Sequence, residues 1–402
     1  MESTTLSATL TSCPITATSL AAAFASIPDP RREASVIYPL PAVLALATAA
    51  LVCAHTSVLA MAEWGARQDP DLLVHLGFST ERIPCQSTIH RLFAKLDAHV
   101  LAAALQAAFT DETERERGIQ GIAIDGKAQR GRLQFEEHGT PVHAMAAFCQ
   151  ERNLVLAEEP IEHVGDKAEA ELTVAPSLIS RLDWHGRVLT GDALFCQRSL
   201  CQQVLDAGGD YPLTVKANQG TLYHTLRQVF DVEARPLLDR RTTQTIDHGH
   251  GRTAEVCQLM VTSDLLAVPD WPGLAQVFRI ERTWQAKGKQ HEQLRYGITS
   301  LPKAIGTPEQ LLQLRRGHWL IENRGHRTKH VNLDEDASLI HHDQGPMVFS
   351  LLRDASLNLL RRAGHTRIAS ALRDYAQHVD AAVALVLIPA RAPALPPASM
   401  AR

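Results

Sequence analysis

Gly121-Ile-Ala-Ile-Asp-Gly126 and Arg187-Val-Leu-Thr-Gly-Asp192 are the two stretches that decide the fold. Each is a short apolar run that ends in a carboxylate beside a glycine, as a buried strand does when its last side chain reaches the sheet edge. Three similar runs surround them: HAMAAFCQ (143–150), NLVLAEE (153–159) and DYPLTVK (210–216). Helical patterns at Glu169 to Leu182 and Arg198 to Ala207 precede the fourth and fifth runs. The order is β-β-β-α-β-α-β, an α/β unit that begins near Gly118.

Upstream the texture differs. Residues 15–112 are Ala- and Leu-rich runs broken at Pro28-Asp29-Pro30, Pro39, Gly65, Asp69-Pro70 and Gly77, which predicts an all-helical N-terminal domain. Downstream, a helix from Thr221 to Val232 and strands near Ala254 to Val261, Ala275 to Trp284 and Gln293 to Ser300 predict a β-rich insertion at about 220–305 within a unit spanning 117–341. A long helix is expected over Thr307 to Arg327, with Thr307 as N-cap and Pro308 in the first turn. C-terminal helices follow at 342–388, and the Pro/Ala-rich tail 389–402 reads as disordered.

The chain has 402 residues, 45% hydrophobic and 21% charged, which suits two or three packed units and argues against a disordered or polytopic membrane protein. Leu40 to Ala62 is apolar enough to suggest a span, but its alanines, His55 and hydroxyl residues favour a buried helical hairpin. Seven scattered cysteines without a C-x-x-C pair, and a start without a basic leader, point to reduced thiols in a cytoplasmic protein.

Two strand-end aspartates on neighbouring strands would meet in the crevice where open α/β sheets bind ligands. Like charges that close are stable with a cation between them. Each aspartate taken alone serves equally well as a turn cap. Glu322 is the best-placed third acid: on a regular helix Arg315, His318, Glu322, His326 and Lys329 would share one face. Glu171, paired with Glu169 on the crossover helix, is its rival.

The ordered motifs IAIDGKAQRG, LTGDALFCQ, GGDYPLTVKANQ and RGHWLIEN resemble the DDE transposases of bacterial insertion sequences, in the H-repeat-associated branch. FASIPDPRR, YPL, MAEW and the residues Pro84, Ser87, Thr88 and Arg91 resemble the domain that accompanies that catalytic core, so the similarity runs from about Phe24 to Arg362. The resemblance implies a ribonuclease-H-like mixed sheet with Asp125, Asp192 and Glu322 as catalytic and metal-binding acids. It implies two Mg²⁺ ions, with Mn²⁺ as a substitute, and phosphodiester hydrolysis at element ends before strand transfer. Where relatives show Tyr and Arg before the Glu, this chain has Arg315 and His318; after it stand His326-Arg327 and His330-Val331.

The expected partners are double-stranded DNA and, by analogy with synapsis, a second copy of the chain, with no membrane. Between Trp271 and His330 eleven Lys/Arg face four acids, although the whole chain carries a net charge of −4. Phosphate backbones reward such a local surplus. The expected DNA contacts are Lys127, Lys216, Arg279, Arg282, Lys287, Lys289, Arg315, His318, His326 and Lys329. Asp71 to Leu76 and Ser87 to Leu96 could form a helix-turn-helix that exposes His90, Arg91 and Lys95, or a bundle with packing duties only. A DNA-binding relative without catalysis is the alternative function. Cys196 and Cys201 read as buried thiols, and His248 to Arg252 as a turn.

Overall fold

The computed structural model describes residues 19–79, 82–109, 118–128, 143–161, 167–231, 239–247, 255–286 and 289–388. Lys287, the His248-Gly249-His250-Gly251 turn and the tail 389–402 lie outside the described residues.

Among the described residues six helices come first: α1 (Leu20–Ala25), α2 (Leu40–Val52), α3 (Val58–Gly65), α4 (Pro70–His75), α5 (Gln86–Lys95) and α6 (Ala98–Phe109). Helix α2 is apolar on every side and buried over almost its whole length, as the central helix of a bundle must be. The expected hairpin at 40–62 is α2 and then α3. Among the described residues no single helix is long and apolar enough to cross a membrane.

The α/β unit comes next as β1 (Gln120–Ala128), β2 (His143–Cys149), β3 (Leu154–Ile161), α7 (Lys167–Ser180), β4 (Arg187–Thr190), α8 (Arg198–Asp206) and β5 (Pro212–Val215). The first three strands are antiparallel neighbours, and β4 lies parallel to β1 on its other side. A parallel bridge between Val188 and Asp210 sets β5 beside β4, with the Leu189 amide donating to the Asp210 carbonyl at 2.7 Å. The order β3-β2-β1-β4-β5 with crossover helices is the ribonuclease-H-like arrangement. Along β1 the side chains alternate: Ile122 and Ile124 enter the core under α7 and α8, and Ala123 packs on the opposite face with Ile321.

After α9 (Gly220–Val229) come β6 (Arg241–Asp247), β7 (Glu255–Thr262), β8 (Gln276–Ala286) and β9 (Lys289–Thr299). Strand β9 pairs with β5, which gives a second, five-stranded sheet in the order β5-β9-β8-β7-β6 that meets the first at the Val188–Asp210 bridge. The insertion has four strands where the apolar pattern predicts three. Strand β6, RTTQTID, is an edge strand with no apolar face, so hydrophobic alternation gives it no signal.

The predicted helix at 307–327 is instead broken. Helix α10 (Pro308–Gly317) ends, a π-helical turn spans Ile321–His326, and α11 (Arg327–Leu333) continues. Helices α12 (Gly345–Arg362), α13 (Ile368–Tyr375) and α14 (Val379–Leu387) are the last among the described residues, within the span 342–388 where C-terminal helices are expected. They share one hydrophobic core with the N-terminal bundle rather than standing apart. Helix α12 also caps the sheet edge: the Asn358 amide accepts from the Val155 N–H at 3.0 Å and donates to the Val155 carbonyl at 2.7 Å, taking the place of a neighbouring strand.

Candidate active site

Asp125 shares the parity of Ala123 and leaves β1 on the face covered by the π turn, where its Oδ2 is 3.4 Å from His326 Nε2. That imidazole nitrogen is buried and has no hydrogen-bond partner among the described residues. Asp192 comes two residues after β4 and caps a 3₁₀ turn, its Oδ1 accepting from the Leu194 amide at 2.8 Å. Burial raises the Asp192 carboxyl above its ordinary value, and the carboxylates of Asp125 and Glu171 push the same way. The Leu194 amide and Lys216 oppose them. Burial is the main cause, and the Asp125 carboxylate on the neighbouring strand adds to it.

Glu171 enters from α7 and is buried. A Cβ added at Gly126 would lie 2.2 Å from its Oε1, so only a glycine lets this carboxylate rest against the strand. Glu322 lies on the π turn, is exposed, and makes no side-chain hydrogen bond or ion pair among the described residues. Among those residues no three His, Cys, Asp or Glu side chains gather closely enough to hold a metal ion. The donor chemistry nevertheless fits one: two coupled carboxylates at an open edge supply the oxygen ligands that a hard divalent cation takes.

The π turn explains where the expected helix face goes. The Arg327 N–H bonds to the Glu322 carbonyl five residues back, and one extra residue in a turn rotates the rest of the helix by about 100°. The expected face therefore breaks within the turn: Arg315, His318 and His326 stay near the two aspartates, and Lys329 turns away. Arg315 donates from Nη1 to the Gly191 carbonyl at 2.9 Å, pinning the residue before Asp192. Burial, then Arg295, lowers the Arg315 guanidinium to about 10, with Asp192 opposing, so it remains charged. His318 Nδ1 is 3.4 Å from Thr190 Oγ1, and burial, then Arg315, pushes its imidazole down to about 3. His318 is thus a neutral group and not the cation expected at a phosphate.

Lys329 departs furthest from expectation. Its ammonium is buried between Asp354 (2.8 Å), Glu158 (3.1 Å) and Glu335 (3.3 Å) and also donates to Ser350 at 3.0 Å, so it faces α12 and β3 rather than DNA. Burial raises the Glu158 carboxyl to about 8 despite Lys329. Burial opposes ionisation of Glu335 too, yet Lys329, Lys127 and Arg353 together hold it down at about 2. Lys127 likewise pairs with Glu335 and donates to the His326 carbonyl at 3.2 Å. On the insertion, Arg282 grips Glu255 Oε1 from Nε (2.8 Å) and Nη2 (2.6 Å), and Arg279 contacts Glu281 Oε2 at 3.2 Å. Lys216 and Lys289 are exposed.

The sequence pattern does not reveal Gln150 and undervalues Glu335. The Gln150 amide donates to Thr190 at 2.7 Å and is hemmed in by Gly121 and Gly317, which lets α10 approach β1 closely. A lone Gln after a strand carries no sequence signal. Glu335 sits within the acidic run Asp334-Glu335-Asp336, which resembles a solvated turn.

Residues 116–346 match the family described as "Transposase DDE domain", and residues 21–108 match its companion, described as "DDE_Tnp_1-associated". The chain is 29% identical over 346 residues to "Putative transposase YncI" of Escherichia coli O157:H7, covering 83% of this chain and 85% of that one. It is 30% identical over 288 residues to "Uncharacterized protein in dhlA 3'region" of Xanthobacter autotrophicus, covering 69% and 92%. It is 26% identical over 347 residues to "H repeat-associated putative transposase YhhI" of Escherichia coli strain K12, covering 83% and 88%. A superposition on the piggyBac transposase synaptic complex with hairpin DNA covers 88% of this chain and 74% of the other at 10% identity, with a TM-score of 0.38, too loose to carry an argument. With both matched segments in order and more than half of its length in the catalytic one, the chain belongs to the DDE transposases, in the H-repeat-associated branch.

Proposed function

We propose that the chain cuts the phosphodiester at the ends of an insertion sequence and joins the freed 3′-hydroxyl to target DNA, with Asp125, Asp192 and Glu322 as its catalytic acids. The observation that carries this reading is the placement of Asp125 on β1 and of Asp192 just past β4, two adjacent parallel strands. Both steps exchange one phosphoester oxygen for another, first a water's and then the 3′-hydroxyl's, so no covalent protein nucleophile is required. Asp125 and Asp192 would hold a divalent cation, Mg²⁺ or Mn²⁺, with Glu322 approaching from the π turn. Such a cation acidifies a bound water and stabilises charge on the leaving oxygen. His326 lies against the Asp125 carboxylate, Arg315 fixes the loop that presents Asp192, and the exposed Lys216 stands ready for a phosphate on the DNA backbone. Synapsis of two ends calls for at least two copies of the chain.

The second reading, a DNA-binding relative without catalysis, is favoured by the exposure of Glu322 and by the absence, among the described residues, of three acids or histidines gathered closely enough for a metal ion. Purified protein, labelled element-end DNA and Mg²⁺ separate the two. Wild type should cleave, and Asp125→Asn and Asp192→Asn should each abolish cleavage while melting no lower than wild type, because each substitution relieves a like-charge contact. DNA binding without any cleavage by wild type would establish the second reading.

A further inference from the structure

We infer that Lys127 is a positioning residue whose side chain latches the π turn carrying Glu322 and His326 onto the strand carrying Asp125. The inference rests on the site proposed above. Alternate side chains of a strand share a face, so Lys127 leaves β1 on the same side as Asp125. Its ammonium donates to the His326 carbonyl at 3.2 Å, and the imidazole of the same His326 faces Asp125 at 3.4 Å. One residue of the turn thereby meets the same strand twice, its carbonyl bonded to Lys127 and its imidazole set beside Asp125.

The other end of the latch is Glu335. Its side chain is 1% exposed, pairs with Lys127, and lies 3.3 Å from Lys329 on the helix that continues the turn. A single buried carboxylate thus fixes both the lysine on the catalytic strand and the helix leaving the π turn. Phosphate-binding lysines present a free ammonium to solvent. Lys127 is 17% exposed and has its donors directed inward, which makes it a poor candidate for the DNA contact its sequence position suggests. A π turn lacks the regular i→i+4 ladder that would hold its own register, so external anchoring is what keeps the turn that carries Glu322 in fixed register with β1.

The test uses the full chain with labelled element-end DNA and Mg²⁺. Lys127→Met should lower the single-turnover cleavage rate at least tenfold while leaving DNA affinity and its salt dependence unchanged. Amide hydrogen exchange across 321–327 should quicken. Lys127→Arg should recover most of the rate, since a guanidinium can still donate to both the carbonyl and the carboxylate. Glu335→Gln should slow cleavage similarly, and the double variant should be no worse than either single one. A salt slope smaller by about one with the rate retained would make Lys127 a phosphate contact and overturn the inference. Wild-type cleavage by Lys127→Met would overturn it as well, and so would a lower melting temperature with no rescue by arginine. Asp125→Asn serves as the parallel control. Normal cleavage there removes the proposed site itself, whereas a dead Asp125→Asn beside an active Lys127→Met removes only the latch.

Discussion

Lys329 and Asp354 form an ion pair at 2.8 Å in which the lysine side chain is 3% exposed, joining the helix after the π turn to the C-terminal helix of the bundle. Glu158 from β3 and Glu335 complete the cluster, so the catalytic sheet, the catalytic turn and the helical domain meet at one ammonium. Removing it would leave three carboxylates crowded together out of water. Lys329→Met should destabilise the protein by about 3–5 kcal/mol, the usual cost of breaking a buried ion pair on one side. Denaturant unfolding measures this directly. A stable variant with weaker DNA binding would return Lys329 to the DNA-facing role that its place seven residues after Glu322 suggests.

Glu322 and Glu171 compete for the third acid. If Glu322 serves, shortening it matters as much as neutralising it, because a displacement of about 1 Å at a reacting centre can cost on the order of a hundredfold in rate. Glu322→Asp and Glu322→Gln should therefore both cleave at least tens of times more slowly at matched Mg²⁺. On a solvated turn the same changes would cost a few tenths of a kcal/mol of helix propensity at most. Near-normal rates in both variants would shift attention to Glu171→Gln, whose carboxylate already influences Asp192.

On the insertion, the basic surplus divides into engaged and free cations. Arg282 is committed to Glu255, whereas Lys289 is exposed and makes no ion pair among the described residues. Lys289→Gln and Lys216→Gln should each flatten the dependence of log K on log salt by about one phosphate contact, and Arg282→Gln should change it far less. Binding isotherms at four or more salt concentrations would decide, and equal slopes for all three variants would refute the division.

Glu335 gives the protein a pH dependence with a definite sign. Its neighbours Lys329, Lys127 and Arg353 overcome burial and hold its carboxyl at about 2, below the ordinary 4.5. A depressed carboxyl contributes stability that is complete above the ordinary value and is lost as pH falls through the lowered one. Glu335→Gln should therefore melt below wild type at neutral pH, and the gap should narrow between about pH 4.5 and 2. A gap that stays constant to pH 2 would show that the ionised form is not what the cluster stabilises.

The order of strands along the chain and the place of Asp192 just past β4 were legible because strand burial is local: GIAID and RVLTGD announce themselves by composition alone, although Asp125 does not end its strand, since β1 runs on to Ala128. The helix register around Glu322 was not. A π turn inserts one residue without changing residue types, so Arg315, His318, His326 and Lys329 keep a helical spacing in sequence while pointing to different places. Burial of Lys329 was equally hidden, since its three carboxylate partners come from Glu158, Glu335 and Asp354, up to 171 residues away. Strand β6 escaped for the opposite reason, being too polar for hydrophobic periodicity to register.

Helix α12 has a consequence for synthesis. Leu20 to Phe109 leaves the ribosome first, yet the apolar surface it must cover is completed by Gly345 to Leu387, the last described portion of the chain. The earliest-made domain is therefore among the last to mature, waiting through some 235 intervening residues with its apolar faces open. Until α12 to α14 have emerged, the bundle's core stays incomplete. Messages truncated within the final helices would yield exposed, protease-sensitive products in place of a half-functional DNA binder.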